Sequence, residues 1–274
     1  MKLINHTFNE CILNLKSGLS KEVLSEEKNV DIEFIEQDFR YNNYIETSLL
    51  GNKSYALANK LCLQIFKTMA DKFNLCLEPP PAIYLYRNNQ LLDTNSSANF
   101  CIPDTKEVLK NEYPFLGRSV FFKEFENLKE IDDNTELQFK NKINSSPHFL
   151  APFIHEWLHS FQLDYIFKKF GYGGNCQSLN EIYPRKNLQY SGIYLLKMLQ
   201  TKKLSSEENK IIGEELGYYS MLPYNQYLEI FSETFTKFIC NSLKNCILVK
   251  NPFEQLKNTS SAFKNILIKV CLFK

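Results

Sequence analysis

The sequence is poor in several residue types, and it lacks the charge imbalance and long apolar runs that would indicate the class of protein directly. Of its 274 residues, four are histidine, nine are glycine and one is tryptophan. Acidic and basic residues nearly cancel, at a net charge of +1, so we expect no nucleic-acid partner and no attraction to a membrane surface. No apolar run approaches the roughly 20 residues of a membrane span. The first residues lack the apolar core of a signal peptide.

We therefore expect synthesis in the cytoplasm, with export as an effector or toxin, without a cleaved signal, left open. The eight cysteines form no CxxC pair, and several lie within apolar runs such as KLCLQIF and KVCLF. That usage is typical of buried thiols in a reducing compartment and not of a disulfide framework. The sequence does not indicate an oligomeric state.

The apolar patterns predict an α+β fold in one domain, 1–274, made of two lobes. In the first lobe, to about residue 171, the runs predict strands at NVDIEFIEQDF, AIYLYR, NFCIPD and GRSVFFKEFEN. SYALANKLCLQIFKTMADKF has apolar residues at helical spacing and predicts a helix. The polar run IDDNTELQFKNKINSSP predicts a loop or lid.

Helical patterns predominate in the second lobe, 172–274. They are SGIYLLKMLQ, SSEENKIIGEEL with its serine cap, and a long amphipathic segment over 225–243. The C-terminal run AFKNILIKVCLFK is compatible with a helix or a strand. The architecture expected is a small mixed sheet with helices in the first lobe, a mainly helical second lobe, and a helix at FIHEWLHSF between them.

FIHEWLHSF holds two of the four histidines in the spacing HExxH. A proline before it and GYGGN after it suit the start and stop of a helix. On a helix, His155 and His159 lie one turn apart, so both imidazoles can reach one ion. Glu156 is offset by one residue, which suits a general base acting on a zinc-activated water. The alternative is a helix with paired histidines and no metal.

A catalytic zinc takes a third protein ligand and leaves a fourth position for water. No histidine follows His159, and His148 lies in a predicted loop where it would at most border a cleft. The third ligand is therefore expected to be a carboxylate, with Glu181 and Glu229 as candidates. We favour Glu229 because it lies in an amphipathic helical pattern, whereas Pro184 and a lack of helical periodicity place Glu181 in a loop or at a helix edge.

Glu229 and Glu233 lie one turn apart on the same face of the predicted helix. Two carboxylates at this spacing repel each other unless a cation stands between them. Zinc on Glu229, with Glu233 bonding the distal nitrogen of a ligand histidine, would remove that repulsion. The alternative is an exposed acidic face of a helix.

Together, HEWLH and LEIFSETF resemble the two motifs of the gluzincin metallopeptidases. They are most similar to those of the anthrax lethal-factor-like group, whose second motif has the form E-x-F-A-E-x-F. The resemblance implies a zincin-like fold, Zn2+ as cofactor and hydrolysis of peptide bonds. Position by position, it implies His155, His159 and Glu229 as ligands and Glu156 as general base. It also implies Glu233 as the acid that bonds the distal nitrogen of a ligand histidine.

One position departs from the pattern of that group. Its members usually carry a tyrosine seven residues before the ligand glutamate, where it helps to stabilise the oxyanion, and this chain has Leu222 there. Four tyrosines lie close by: Tyr218, Tyr219, Tyr224 and Tyr227. Tyr224 is our candidate for the role, and packing of the cleft wall is its alternative. Without such a donor, the oxyanion would depend on zinc or on a residue such as His148.

The sequence thus predicts a zinc-dependent metallopeptidase, most simply an endopeptidase, with a protein or peptide as substrate. A strand of the first lobe, SVFFKEF, is expected to line the cleft and pair with an extended substrate. One alternative is a zinc hydrolase that acts on a different bond. Another is a zincin-like module that binds a partner without cutting it, against which the intact HExxH argues, since such a module has no need of Glu156.

Overall fold

The structure is a computed structural model that describes residues 15, 18–29, 52–73, 82–86, 98–101, 119–123, 125–159, 204–221, 226–244 and 252–270. The strands are described by their backbone alone. Two predictions lie outside these residues: the helix at SGIYLLKMLQ and nearly all of the strand at NVDIEFIEQDF. The division into lobes at about residue 171 also stays a prediction, because 160–203 lie outside them.

Seven helices cover most of the described chain. They are α1 (Lys21–Asn29), α2 (Lys53–Phe73), α3 (Leu128–Lys140), α4 (151–159), α5 (Ser206–Leu216), α6 (Gln226–Lys244) and α7 (Ser261–Val270). Two 3-10 helices, Tyr218–Met221 and Pro252–Asn258, stand before and after α6. The helices predicted at SYALANKLCLQIF, at FIHEWLHSF, at SSEENKIIGEEL and over 225–243 are confirmed as α2, α4, α5 and α6.

Three short strands pair into one sheet. They are β1 (Ala82–Tyr86), β2 (Ala98–Cys101) and β3 (Ser119–Lys123), in the order β1-β3-β2. β1 runs parallel to β3, with Ala82 opposite Ser119, and β2 runs antiparallel to it, with Ala98 opposite Phe122. Because β3 is bonded along both edges, it has no free edge for an extended substrate. The prediction that SVFFKEF pairs with substrate is therefore wrong.

The predicted α+β fold is also wrong. Among the residues whose side chains the structure describes, 81% are helical and none lies in a strand. The buried core found there consists of helices packed on helices, with a few loop residues. Alternation of apolar residues reports a local preference, whereas the fold class depends on which faces pack together. The part of the protein that holds the described core is helical.

The run IDDNTELQFKNKINSSP is largely helical and not a loop or lid. It includes α3 from Ile131 onward, and the cap of α3 is Asn127, whose side chain accepts a hydrogen bond from the Glu130 N–H at 3.0 Å. Leu128, Ile131 and Thr135 are buried along one face of α3. The sequence pattern does not predict α3, because its few buried positions are separated by charged and amide side chains.

Two clusters of buried apolar side chains hold the described helices together. The larger one joins α2, α4 and the second half of α6, and includes Phe66, Trp157 and Phe235. The smaller one joins α5 and α7 to the first half of α6, and includes Ile230 and Phe263. Since α6 contributes to both clusters, its position is set from two sides. No helix among the described residues has the length and apolar character needed to cross a membrane.

Candidate metal centre

Packing against α2 sets the orientation of α4, the helix that carries HEWLH. Trp157 is fully buried and stacks on Phe66, with ring centroids 5.5 Å apart. The Trp157 Nε1–H donates to Asn59 Oδ1 at 3.1 Å, and Asn59 Nδ2 donates to the Tyr55 carbonyl at 3.0 Å. Buried polar groups lose free energy when they lack such partners, so these bonds define one rotation of α4 about its axis.

His148 stands at the start of α4. Its Nδ1 accepts a hydrogen bond from the Leu150 N–H at 3.1 Å, so its Nε2 carries the proton and donates to the Leu15 carbonyl at 3.1 Å. The residue is 2% exposed. Both nitrogens are therefore engaged with backbone groups. The suggestion that His148 could stabilise an oxyanion does not hold, because its donor already serves Leu15.

The first half of α6 meets α4 and brings Glu229 to the two histidines. The Nε2 atoms of His155 and His159 are 3.0 Å apart. Glu229 Oε2 lies 3.0 Å from His155 Nε2, and Glu229 Oε1 lies 3.5 Å from His159 Nε2. A tetrahedral zinc ion with bonds of about 2.0–2.1 Å places its ligand atoms about 3.3 Å apart. These three buried side chains could therefore hold a metal ion.

Each histidine presents its second ring nitrogen to α6. His155 Nδ1 lies 3.1 Å from Glu233 Oε1, and His159 Nδ1 lies 2.9 Å from Ser232 Oγ. Glu233 is held in turn by the Ser145 N–H, which donates to its Oε2 at 2.8 Å. A carboxylate only accepts, so a proton on His155 Nδ1 faces Glu233 at ion-pair distance, and Nε2 is turned toward the cluster. Glu233 thus lies at the distal nitrogen of a histidine, where the sequence placed it.

The charges of the cluster shift the pKa values of its members. Burial opposes protonation of His155, but the carboxylates of Glu233 and Glu229 outweigh it and hold the pKa of His155 well above its usual value. Burial also favours the neutral form of Glu229, but His159 and His155 outweigh it and lower the pKa of Glu229 to about 2. The centre of the cluster therefore favours positive charge.

Glu156 lies beside the cluster, within range of its charges. The side chain is 5% exposed, and its Oε2 makes no hydrogen bond within the described part of the chain. Burial raises the pKa of Glu156 to about 7, against the lowering effect of His155 and His159. A carboxyl group with a pKa near neutrality can both take up and return a proton.

Two predicted candidates, Glu181 and Tyr224, lie outside the described residues. Tyr219 is the tyrosine that the described structure places near the cluster, with its ring centroid 6.4 Å from that of His155. Sequence reasoning counted Tyr219 only among the nearby tyrosines, and it overlooked Ser232. The signal for Ser232 was a small hydroxyl residue next to Glu233 in the amphipathic pattern of α6.

Comparison of the chain with protein-family models, with curated proteins and with solved structures gave no match. The class of site is therefore defined by its own geometry. It consists of two histidines and a glutamate able to hold a metal ion, with two further glutamates buried beside them.

Proposed function

We propose that the protein is a zinc-dependent metallopeptidase with zinc held by His155, His159 and Glu229. The observation that carries the proposal is the convergence of their donor atoms, at separations of 3.0, 3.0 and 3.5 Å. Two imidazole nitrogens and a carboxylate at such distances are stabilised by a positive charge, which a proton on His155 or a metal ion bound among them supplies. Two histidines and one glutamate, with a fourth position left open, are a set of ligands that suits catalytic zinc.

Peptide-bond hydrolysis is the reaction that the two motifs support best. HEWLH and LEIFSETF resemble gluzincin motifs, and the two glutamates of the second motif lie against the histidines of the first. Zinc bound there supplies a Lewis acid that polarises a carbonyl group and lowers the pKa of water.

Within this scheme Glu156 moves the proton. Its buried Oε2 has no hydrogen-bond partner among the described residues, so this oxygen is available to accept a proton. It takes a proton from the attacking water and delivers that proton to the leaving amine nitrogen. Meanwhile Glu233 and Ser232 hold the two imidazole rings through their Nδ1 atoms.

Metal content tests the ligand set. We expect wild-type protein loaded with zinc and freed of excess metal to retain roughly one zinc ion per chain. Glu229→Ala should lose that zinc, because one of three protein ligands is removed. Glu181→Ala is the matched control and should retain it. Elemental analysis by mass spectrometry measures both variants, and the reverse pattern would transfer the ligand role to Glu181.

Hydrolysis of a mixed peptide library tests the reaction. Glu156→Gln should keep its zinc and lose activity by roughly 10²-fold or more, because an amide cannot accept the proton. Zinc content and thermal unfolding of the same preparation separate lost chemistry from lost structure. A variant that cuts peptides at the wild-type rate would remove Glu156 from the mechanism. If wild-type protein binds zinc but cuts other bonds only, or none, the hydrolase or binding-module alternative replaces the peptidase.

A further inference from the structure

We propose that Ser232 is a positioning residue of this centre, which holds the ring of His159 with Nδ1 protonated and Nε2 turned to the metal. The inference rests on the proposed zinc site, because it explains how one of the ligands is oriented. It adds a residue that neither HExxH nor the pair of glutamates indicates.

The contact itself is short and buried. Ser232 Oγ lies 2.9 Å from His159 Nδ1, and Ser232 is fully buried while His159 is 5% exposed. A hydrogen bond between two groups removed from water is retained in the folded state, because breaking it leaves polar atoms unsatisfied. The imidazole of His159 is therefore restrained at the nitrogen opposite the cluster.

Each of the two histidines has a partner on α6 at its Nδ1 atom. Consecutive residues on a helix point about 100° apart, and Ser232 and Glu233 reach two rings that lie one turn apart on α4. Glu233 meets Nδ1 of His155, and Ser232 meets Nδ1 of His159. Both Nε2 atoms are thereby left to face Glu229.

The charge of the site explains why a hydroxyl serves at this position. Glu229, Glu233 and Glu156 already place three carboxyl groups around the pair of histidines. A fourth would add repulsion, whereas a hydroxyl orients the ring without charge. A hydroxyl oxygen can also accept the Nδ1–H that a histidine must carry when its Nε2 binds a metal.

Zinc affinity provides the first test. Ser232→Ala removes one buried oxygen atom and should weaken zinc binding by roughly 10- to 100-fold, the usual effect of losing a partner behind a metal ligand. Ser232→Thr keeps the hydroxyl and should bind zinc more tightly than Ser232→Ala. Competition with a chromophoric chelator measures the dissociation constants, and thermal unfolding verifies that each variant is folded.

Ser242→Ala is the matched control. Ser242 is buried on the same helix and donates to the Phe238 carbonyl, so its loss also removes a buried hydroxyl bond but none at a histidine. Its zinc affinity should equal that of wild type. The proposal is overturned if Ser232→Ala keeps wild-type affinity or if Ser242→Ala weakens binding equally.

Nitrogen NMR of 15N-histidine-labelled protein shows directly which ring nitrogen of His159 carries the proton. With zinc bound, we expect an Nδ1–H signal of His159, protected from water exchange, that Ser232→Ala abolishes and Ser232→Thr retains. The His155 signal should persist in both variants. Spectra of the metal-free protein should show a shift of the His159 Nδ1 resonance in Ser232→Ala.

This metal-free comparison separates the two proposals. If the wild type binds no zinc, the proposed function fails, and the metal-free spectra still test the contact. Unchanged His159 resonances in Ser232→Ala would exclude Ser232 as the residue that holds this ring.

Discussion

Asn59 is fully buried, yet both ends of its amide are in use. Its Oδ1 accepts from Trp157 Nε1–H, and its Nδ2 donates to the Tyr55 carbonyl. Trp157 follows Glu156 directly and precedes His159 by two residues, so the orientation of the indole also determines where the opposite face of α4 points. At the scale of residues, the orientation of the site thus depends on Asn59, a buried polar side chain that bonds Trp157 and the Tyr55 carbonyl.

We predict that Asn59→Ala lowers the free energy of unfolding by about 2–3 kcal/mol, because the buried Trp157 N–H loses its acceptor. Urea unfolding followed by fluorescence measures the change. In a double-mutant cycle with Trp157→Phe, which removes the donor, the double variant should lose at least about 1 kcal/mol less than the sum of the single variants. Strictly additive losses would show that the hydrogen bond is not the cause.

Among elements, the loop between α3 and α4 connects the site to the rest of the helical core. The Lys142 and Ile143 carbonyls accept hydrogen bonds from the Tyr218 and Tyr219 N–H groups, at 2.6 and 3.2 Å. Ser145 donates to the Glu233 carboxylate and also, through its hydroxyl, to the Glu233 carbonyl at 2.8 Å. A shift of this loop would therefore move Glu233, which lies at Nδ1 of His155.

Gly217 allows the close approach of that loop. Its φ is +96°, and a Cβ at this position would lie 2.7 Å from the Lys142 carbonyl oxygen. We predict that Gly217→Ala lowers the free energy of unfolding by about 2–3 kcal/mol, through backbone strain and this contact. It should also weaken zinc binding, because the loop carries Ser145.

Gly18→Ala is the control for strain alone. Gly18 has φ +82° but an added Cβ would meet no atom within 4 Å. Its substitution should cost about 1 kcal/mol and leave zinc affinity unchanged. Equal effects of the two alanines on stability and on zinc affinity would contradict the account of the loop.

For the molecule as a whole, α5 and α7 are joined by an ion pair at the edge of the smaller apolar cluster. Lys269 Nζ lies 2.9 and 2.8 Å from the two carboxylate oxygens of Glu208. The hydrogen bond from Lys269 is the main reason that the pKa of Glu208 lies below its usual value. Glu208 also accepts from the Ser205 N–H at 2.7 Å and so completes the cap of α5.

We predict that Glu208→Gln lowers the free energy of unfolding by a few tenths of a kcal/mol at pH 7, because solvent still reaches this half-buried pair and screens its charges. A folded-state pKa below the unfolded value stabilises the protein above the unfolded pKa, near 4.5. That stabilisation is lost as pH falls through the folded pKa. The difference from wild type should therefore vanish in acid, as urea unfolding across pH would show.

Glutamine retains the acceptor of the helix cap, so the substitution isolates the charge. Glu207→Gln is the control: it neutralises an acid in the same turn that makes no ion pair among the described residues. A pH-independent effect of Glu208→Gln would assign the loss to packing and not to charge.

The sequence was informative where local spacing decides the outcome. HExxH on a helix places His155 and His159 on one face whatever the fold, and the amphipathic segment over 225–243 places Glu229 and Glu233 on another. Spacing also predicted α2 and the cap of α5. It failed for α3, where few buried residues are separated by polar ones, and for the fold class, because short alternating runs do not reveal which elements form the core.

The sequence by itself therefore determined the chemical groups and the helix faces that carry them, since both follow from a repeat of 3.6 residues per turn. Only the tertiary structure decided that these faces meet, because contacts between α4 and α6 depend on how the two apolar clusters pack on either side of α6. The same packing brings Ser232 to His159 and joins His148, at the start of α4, to the Leu15 carbonyl. Such contacts join residues far apart in the chain, and no local pattern encodes them.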